Sequence, residues 1–103
     1  MKETGLSIAT WADETFGKSM SNKSAHLRAT GEMLELDELV RNGVGGYQLA
    51  EECADIVIVL ARLAYDNGQD LFEMVDRKME INRARRWERD GTGHGYHVKD
   101  PLP

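Results

Sequence analysis

Proline is nearly missing from this 103-residue chain. Pro101 and Pro103 both lie at the extreme C-terminus, so no pyrrolidine ring interrupts a helix upstream of them. Cysteine is scarcer still. Cys53 stands alone, which excludes an intrachain disulfide and favours a cytoplasmic setting, the host cytoplasm if the chain is phage-encoded. No apolar run approaches the roughly 20 residues of a membrane span, and the opening MKETGLSIATW has no signal-peptide hydrophobic stretch. No membrane role is expected. An excess of positive charge is also lacking: 18 acidic residues against 13 basic ones give a net charge of -5, which disfavours nonspecific association with nucleic acid.

What is present reads as one globular domain spanning 1–103, followed from about residue 90 by a glycine-rich tail, GTGHGYHVKDPLP. The hydrophobic and charged fractions argue against disorder. A chain of this size buries only about two-thirds of its unfolded surface, so assembly with further copies would add stability. Helical spacing dominates. Ser7 is placed to cap a helix ending near Phe16, with Ile8, Trp11, Ala12 and Phe16 on one face. After the polar stretch GKSMSNKS, a second helix from about Ser24 to Asn42 directs Leu27, Met33, Leu34 and Leu36 inward and stops at Gly43. A third, Tyr47 to Asn67, stops at Gly68 and carries the stripe Leu49, Cys53, Ile56, Leu60, Leu63, broad enough for a bundle centre or a subunit interface. Asp70 would cap a fourth, running to about Arg89. No strand-like alternation stands out, and the expected fold is an all-α four-helix bundle.

Acidic residues at helical spacing most often form a solvated face, and Asp37 and Glu51 are read that way. Glu52 and Asp55 differ because they open the most apolar helix, EECADIVIVLA. Glu32 and Glu35, in GEMLEL, form a second pair on the preceding helix. Residues i and i+3 project side by side, about 5–6 Å apart at Cβ. With the two helices antiparallel across a short turn, the pairs can face each other. Four such carboxylates need a counter-charge, and Mg²⁺ favours carboxylate oxygens while keeping waters that a phosphate chain can share. On the fourth helix Lys78, Asn82 and Arg86 recur at i, i+4, i+8, with Arg83 on the adjacent row. A point charge, a neutral donor and a planar fork together suit polyphosphate oxygens.

The order E-x-x-E, glycine turn, E-x-x-D, followed by DRKMEINRARRWERDGTGHGYHV, resembles the MazG-type all-α nucleoside triphosphate pyrophosphohydrolases. It also resembles small phage and bacterial MazG-like proteins, some of them described as dATP/dGTP diphosphohydrolases. The resemblance spans roughly residues 8 to 98. It implies hydrolysis of a nucleoside triphosphate, a purine deoxynucleotide by preference, to the monophosphate and pyrophosphate. Two or three Mg²⁺ ions, with Mn²⁺ able to substitute, would be held by Glu32, Glu35, Glu52 and Asp55. Glu32 or Glu35 would position the attacking water, while Lys78, Asn82, Arg83 and Arg86 bind phosphates. It also implies a homo-oligomer, dimer or tetramer. Gly31 is a departure, since many relatives have an acidic residue there; it could admit a close helix or leave room for a base. Pyrimidine or house-cleaning pyrophosphohydrolysis is the enzymatic alternative, and a silent helical nucleotide- or protein-binding oligomer is the non-enzymatic one.

Other residues carry weaker readings. Trp11, Phe16 and Trp87 could stack on a base, with Trp87 favoured because it follows Arg86, but helix aromatics more often fill a core. His94 and His97 lack the further ligands a transition-metal site needs, and the tail is read as closing over substrate. His26 is read as a surface residue and Cys53 as core.

Overall fold

A computed structural model describes residues 2–99. Four helices are followed by two strands: α1 (Gly5–Phe16), α2 (Asn22–Arg41), α3 (Gly46–Asp66), α4 (Leu71–Ala84), β1 (Arg86–Arg89) and β2 (Gly95–Val98). The chain divides into two compact units between Phe72 and Glu73. No helix among the described residues is long and apolar enough to cross a membrane.

In the first unit, α3 packs against both α1 and α2. Local chemistry sets the helix ends. Thr4 caps α1, accepting from the Ser7 backbone N–H, while the Ser7 hydroxyl accepts from Thr4 N–H. Ser21 and Ser24 repeat this reciprocal capping box at the start of α2. Ser7 is therefore the third helical residue and not the cap, and α2 begins two residues before Ser24. The stops fall where expected. Gly43 and Gly68 adopt φ of +69° and +84°. At each, one backbone bond spans six residues, Val44 N–H to Leu39 C=O and Gln69 N–H to Ala64 C=O, nested around a shorter one.

The four residues between α2 and α3 make the two helices an antiparallel hairpin. Paired side-chain amides tie its open end, Asn22 to Asn67 at 3.1 Å and Asn67 to Asn22 at 2.8 Å. Asp70 accepts from Phe72 N–H at 2.9 Å, as the cap of α4 should, and its other oxygen accepts from Gly5 N–H at 2.8 Å.

The core is made of small side chains. Ile8, Ala9, Ala12, Ala29 and Ala61 are its buried apolar members, and no large side chain among the described residues is fully enclosed. Leu27, Met33 and Leu34, expected inside, are exposed, as is Cys53, expected in the core. Leu36 is half-buried. The α3 stripe is half-covered at Leu49, Ile56 and Leu63 and open at Leu60. No helix of this chain packs closely on Gly31 among the described residues, because a Cβ built there meets nothing within 4 Å.

The second unit corrects the all-α expectation. α4 ends at Ala84, five residues before Arg89, and the chain turns into an antiparallel hairpin pairing Arg86 with Val98, Trp87 with His97, Glu88 with Tyr96 and Arg89 with Gly95. The Trp87 indole N–H donates to the Asn82 carbonyl at 2.7 Å, a carbonyl in the last turn of α4 that also accepts from the Arg85 N–H at 3.3 Å. Asp90 Oδ1 accepts from both the backbone and the hydroxyl of Thr92, at 2.9 and 2.6 Å, folding the connection. These bonds hold the Asp90 carboxyl below its ordinary value. Gly95 has to be glycine, since a Cβ there would run into the Glu88 carbonyl. The residues read as a tail are thus β2 and its turn as far as Val98, and the end of that reading, Asp100–Pro103, lies outside the described residues.

Candidate functional site

Glu32 projects from the middle of α2, Glu52 and Asp55 from the second turn of α3 onward. The α2–α3 hairpin brings them together: one carboxylate oxygen from each lies within 4.8 Å of the other two. Glu32 is buried, at 6% exposure, Glu52 half-buried and Asp55 exposed. Such a set closes from a buried floor to an open mouth. Glu35 falls outside this trio, although its charge still acts on Glu52.

Electrostatically the trio is unfinished. The Glu52 carboxyl meets that of Glu32, and a hydrogen bond between two carboxyls requires a proton on one of them. That bond, then burial, then the charges of Glu35, Glu32 and Asp55 push Glu52 up to about 7. Its Oε1 is shielded from solvent and has no hydrogen-bond donor. A buried acceptor without a donor is costly, and a cation would satisfy it. Among the described residues, one ion pair reaches the trio, from Arg28 Nη2 to Glu32 Oε1 at 2.9 Å. Oxygen donors alone, clustered and anionic, fit a hard divalent ion such as Mg²⁺ or Mn²⁺ better than a soft one.

Glu32 and Asp55 also line a cavity of about 620 Å³ contained in the first unit. Its walls bring Trp11 and Phe16 from α1, Lys18 from the α1–α2 loop, Arg28 from α2, and Ile58 and Arg62 from α3. Trp11 and Phe16 are 53% and 70% exposed, not core, and meet edge to face with ring centroids 5.4 Å apart. Arg62 Nη2 donates to Asp13 Oδ1 at 2.9 Å and to the Gly17 carbonyl, and Lys18 Nζ meets Asp13 Oδ2 at 2.9 Å. These bonds, Lys18 first and then Arg62, hold the Asp13 carboxyl below its ordinary range, while Asp13 raises Lys18. They fasten the loop to α3 and fix one wall of the cavity.

Sequence reasoning found the acids and missed the cavity's cations. Arg28 stands four residues before Glu32, a spacing that places it on the same face. Lys18 and Arg62 are distant from the acids in sequence and gave no comparable signal. The residues expected to bind phosphate lie in the second unit. Lys78 and Arg83 are exposed on α4 and Asn82 is half-buried there. Arg86 and Trp87 stand on β1, so Lys78, Asn82 and Arg86 do not form one helical face. Trp87 meets His97 with ring centroids 5.7 Å apart.

Over 93 residues, 90% of its length, the chain is 37% identical to a dATP/dGTP diphosphohydrolase of Salmonella phage PMBT28. It spans 30% of the length of that curated relative. No protein-family model and no solved structure matches the chain.

Proposed function

We propose that this chain is a divalent-metal-dependent hydrolase of nucleoside triphosphates, acting on purine deoxynucleotides and releasing monophosphate and pyrophosphate. The observation that carries the reading is the union of an unfinished carboxylate trio with a cavity of about 620 Å³ that has aromatic and cationic walls. A volume in this range suits a small-molecule ligand. Aromatic faces can hold a base and guanidinium groups a phosphate chain. The similarity to the phage diphosphohydrolase supports the substrate class.

Glu32, Glu52 and Asp55 would hold the ion, Mg²⁺ by preference and Mn²⁺ in its place. When bound, such an ion supplies Lewis acidity toward phosphate oxygens and water. The chain's own residues do the rest. Glu35, close to the trio but outside it, is available to orient a water and take its proton. Trp11 and Phe16 would seat the base. The buried floor at Glu32 limits bulk water around the reacting phosphate. Lys78, Asn82, Arg83 and Arg86 belong to the proposal as phosphate binders, tested by Lys78→Ala, which should raise KM with the fold intact.

We further propose a homo-oligomer, dimer or tetramer. A core of alanines and one isoleucine, beside exposed Leu27, Leu34, Val57 and Leu60, supports it.

The test is anion-exchange analysis of each canonical dNTP and NTP incubated with protein and Mg²⁺. Equal monophosphate and pyrophosphate, fastest from dATP or dGTP, is the expected result. A faster pyrimidine substrate would move the assignment to the base, whereas no turnover with either Mg²⁺ or Mn²⁺ would favour a silent binding module.

A further inference from the structure

Resting on that metal-site reading, we propose that Arg28 is the resident counter-cation of the carboxylate trio, and that it exchanges Glu32 for substrate phosphate when a divalent ion enters. The Glu32 side chain is only 7% exposed, and a carboxylate so buried needs positive charge beside it. Arg28 provides that charge at 2.9 Å while its own side chain stays 73% exposed. An exposed arginine in a single i,i+4 pair is held weakly and can leave.

The other cations of the cavity are committed elsewhere. Lys18 and Arg62 both pair with Asp13, and Arg62 also donates to the Gly17 carbonyl. Arg28 is the lining cation whose partner is itself a candidate metal ligand. A divalent ion among the three carboxylates takes over the neutralisation of Glu32. A polyanionic phosphate chain entering the same cavity then becomes the strongest anion within reach of the guanidinium. The planar fork of arginine suits two phosphate oxygens as well as it suits one carboxylate. The exchange would make metal and nucleotide binding mutually reinforcing, as linkage requires.

The experiment is calorimetric titration of Mn²⁺ into wild type, Arg28→Met and Arg28→Lys without nucleotide. It is followed by titration of a deoxyadenosine triphosphate analogue with a nonhydrolysable α–β bridge at saturating Mn²⁺. Arg28→Met should bind Mn²⁺ roughly threefold to fivefold more tightly, the scale of an exposed ion pair removed as competitor. It should bind the analogue about tenfold more weakly, the scale of a lost charge-assisted hydrogen bond. Arg28→Lys should keep wild-type Mn²⁺ affinity and recover part of the analogue binding. Weaker Mn²⁺ binding by Arg28→Met would make Arg28 a fixed support of Glu32 and overturn the exchange, and unchanged analogue affinity would do the same. Failure of wild type to bind Mn²⁺ would overturn the underlying metal reading, and this proposal with it. Thermal melts and circular dichroism of the three proteins separate these results from misfolding: Arg28→Met should melt lower in chelator, because Glu32 loses its counter-charge, yet remain folded at the titration temperature and regain stability with Mn²⁺.

Discussion

Arg62 and Asp13 meet at 2.9 Å with 18% and 22% of their side chains exposed, joining the C-terminal end of α3 to that of α1. Because Arg62 also holds the Gly17 carbonyl, the pair fixes both the helix contact and the loop over the cavity. Asp13→Asn should lower the melting temperature and raise KM for the triphosphate together, as the loop loosens. The folded-state value of Asp13 is depressed, so its contribution is present above the unfolded value of 3.8 and is lost as pH falls further. Wild type should lose this contribution below about pH 4. Asp13→Asn should not show that step, and an identical acid limb in both proteins would show that the pair adds nothing.

Glu52 behaves in the opposite sense. Its folded value, about 7, lies above the model-peptide value of 4.5. Its destabilising effect is therefore absent below the unfolded value, grows between that value and about 7, and is constant above it. Metal-free protein in chelator should melt lower at pH 8 than at pH 5.5, and Mg²⁺ should restore the difference at pH 8. Glu52→Gln should flatten this dependence and abolish the Mg²⁺ effect. A melting profile in the variant that still falls with pH and still responds to Mg²⁺ would remove Glu52 from the site.

Asp55 and Glu35 should separate binding from turnover. Asp55→Asn removes one candidate ligand of the trio and should lose both Mn²⁺ affinity and activity. Glu35→Gln lies outside the trio and should keep most Mn²⁺ affinity while losing activity by about a hundredfold or more, the usual scale for a general base. If Glu35→Gln retains near-wild-type kcat, the proton is taken elsewhere.

Gly31 sits inside α2 facing open space. Gly31→Ala should stabilise the fold by about 1 kcal/mol through helix propensity, measured by urea unfolding. Stabilisation without loss of activity is expected. A drop in assembly or affinity instead would show that another copy or the substrate uses that space.

Trp87 reads as an anchor of the β hairpin, through its bond to the Asn82 carbonyl. Trp87→Phe keeps an aromatic face and removes the donor, costing about 1 kcal/mol of the second unit's stability. KM should not change, and a severalfold rise would return Trp87 to the substrate.

The sequence was most informative where structure is local. The stops at Gly43 and Gly68 were readable because a positive-φ glycine closes a helix without outside help. Both helix starts were misplaced for one shared reason: Ser7 and Ser24 are the inner members of capping boxes whose outer members are Thr4 and Ser21. The β hairpin hid because RWER has no alternation of its own and becomes a strand only by pairing with GYHV. The Asp90-Gly91 turn between two aromatic-containing runs was the available signal. The trio Glu32, Glu52, Asp55 was legible from i,i+3 spacing across one short turn. The cavity was not, since its cations arrive from a loop and from the far end of α3, brought in by contacts that no local pattern encodes.

The alanine-lined interior has a consequence for abundance. Helices that meet through methyl groups gain little cohesion each, so a lone chain would hold its shape only narrowly, while exposed leucines and valines would find cover in another copy. Unfolding temperature would then climb with protein concentration, as it does wherever folding and association are one equilibrium. With the proposed assembly and the proposed hydrolysis, activity would rise faster than in proportion to the amount made, and a cell just beginning to express the chain would spare its nucleotide pool until enough copies had met.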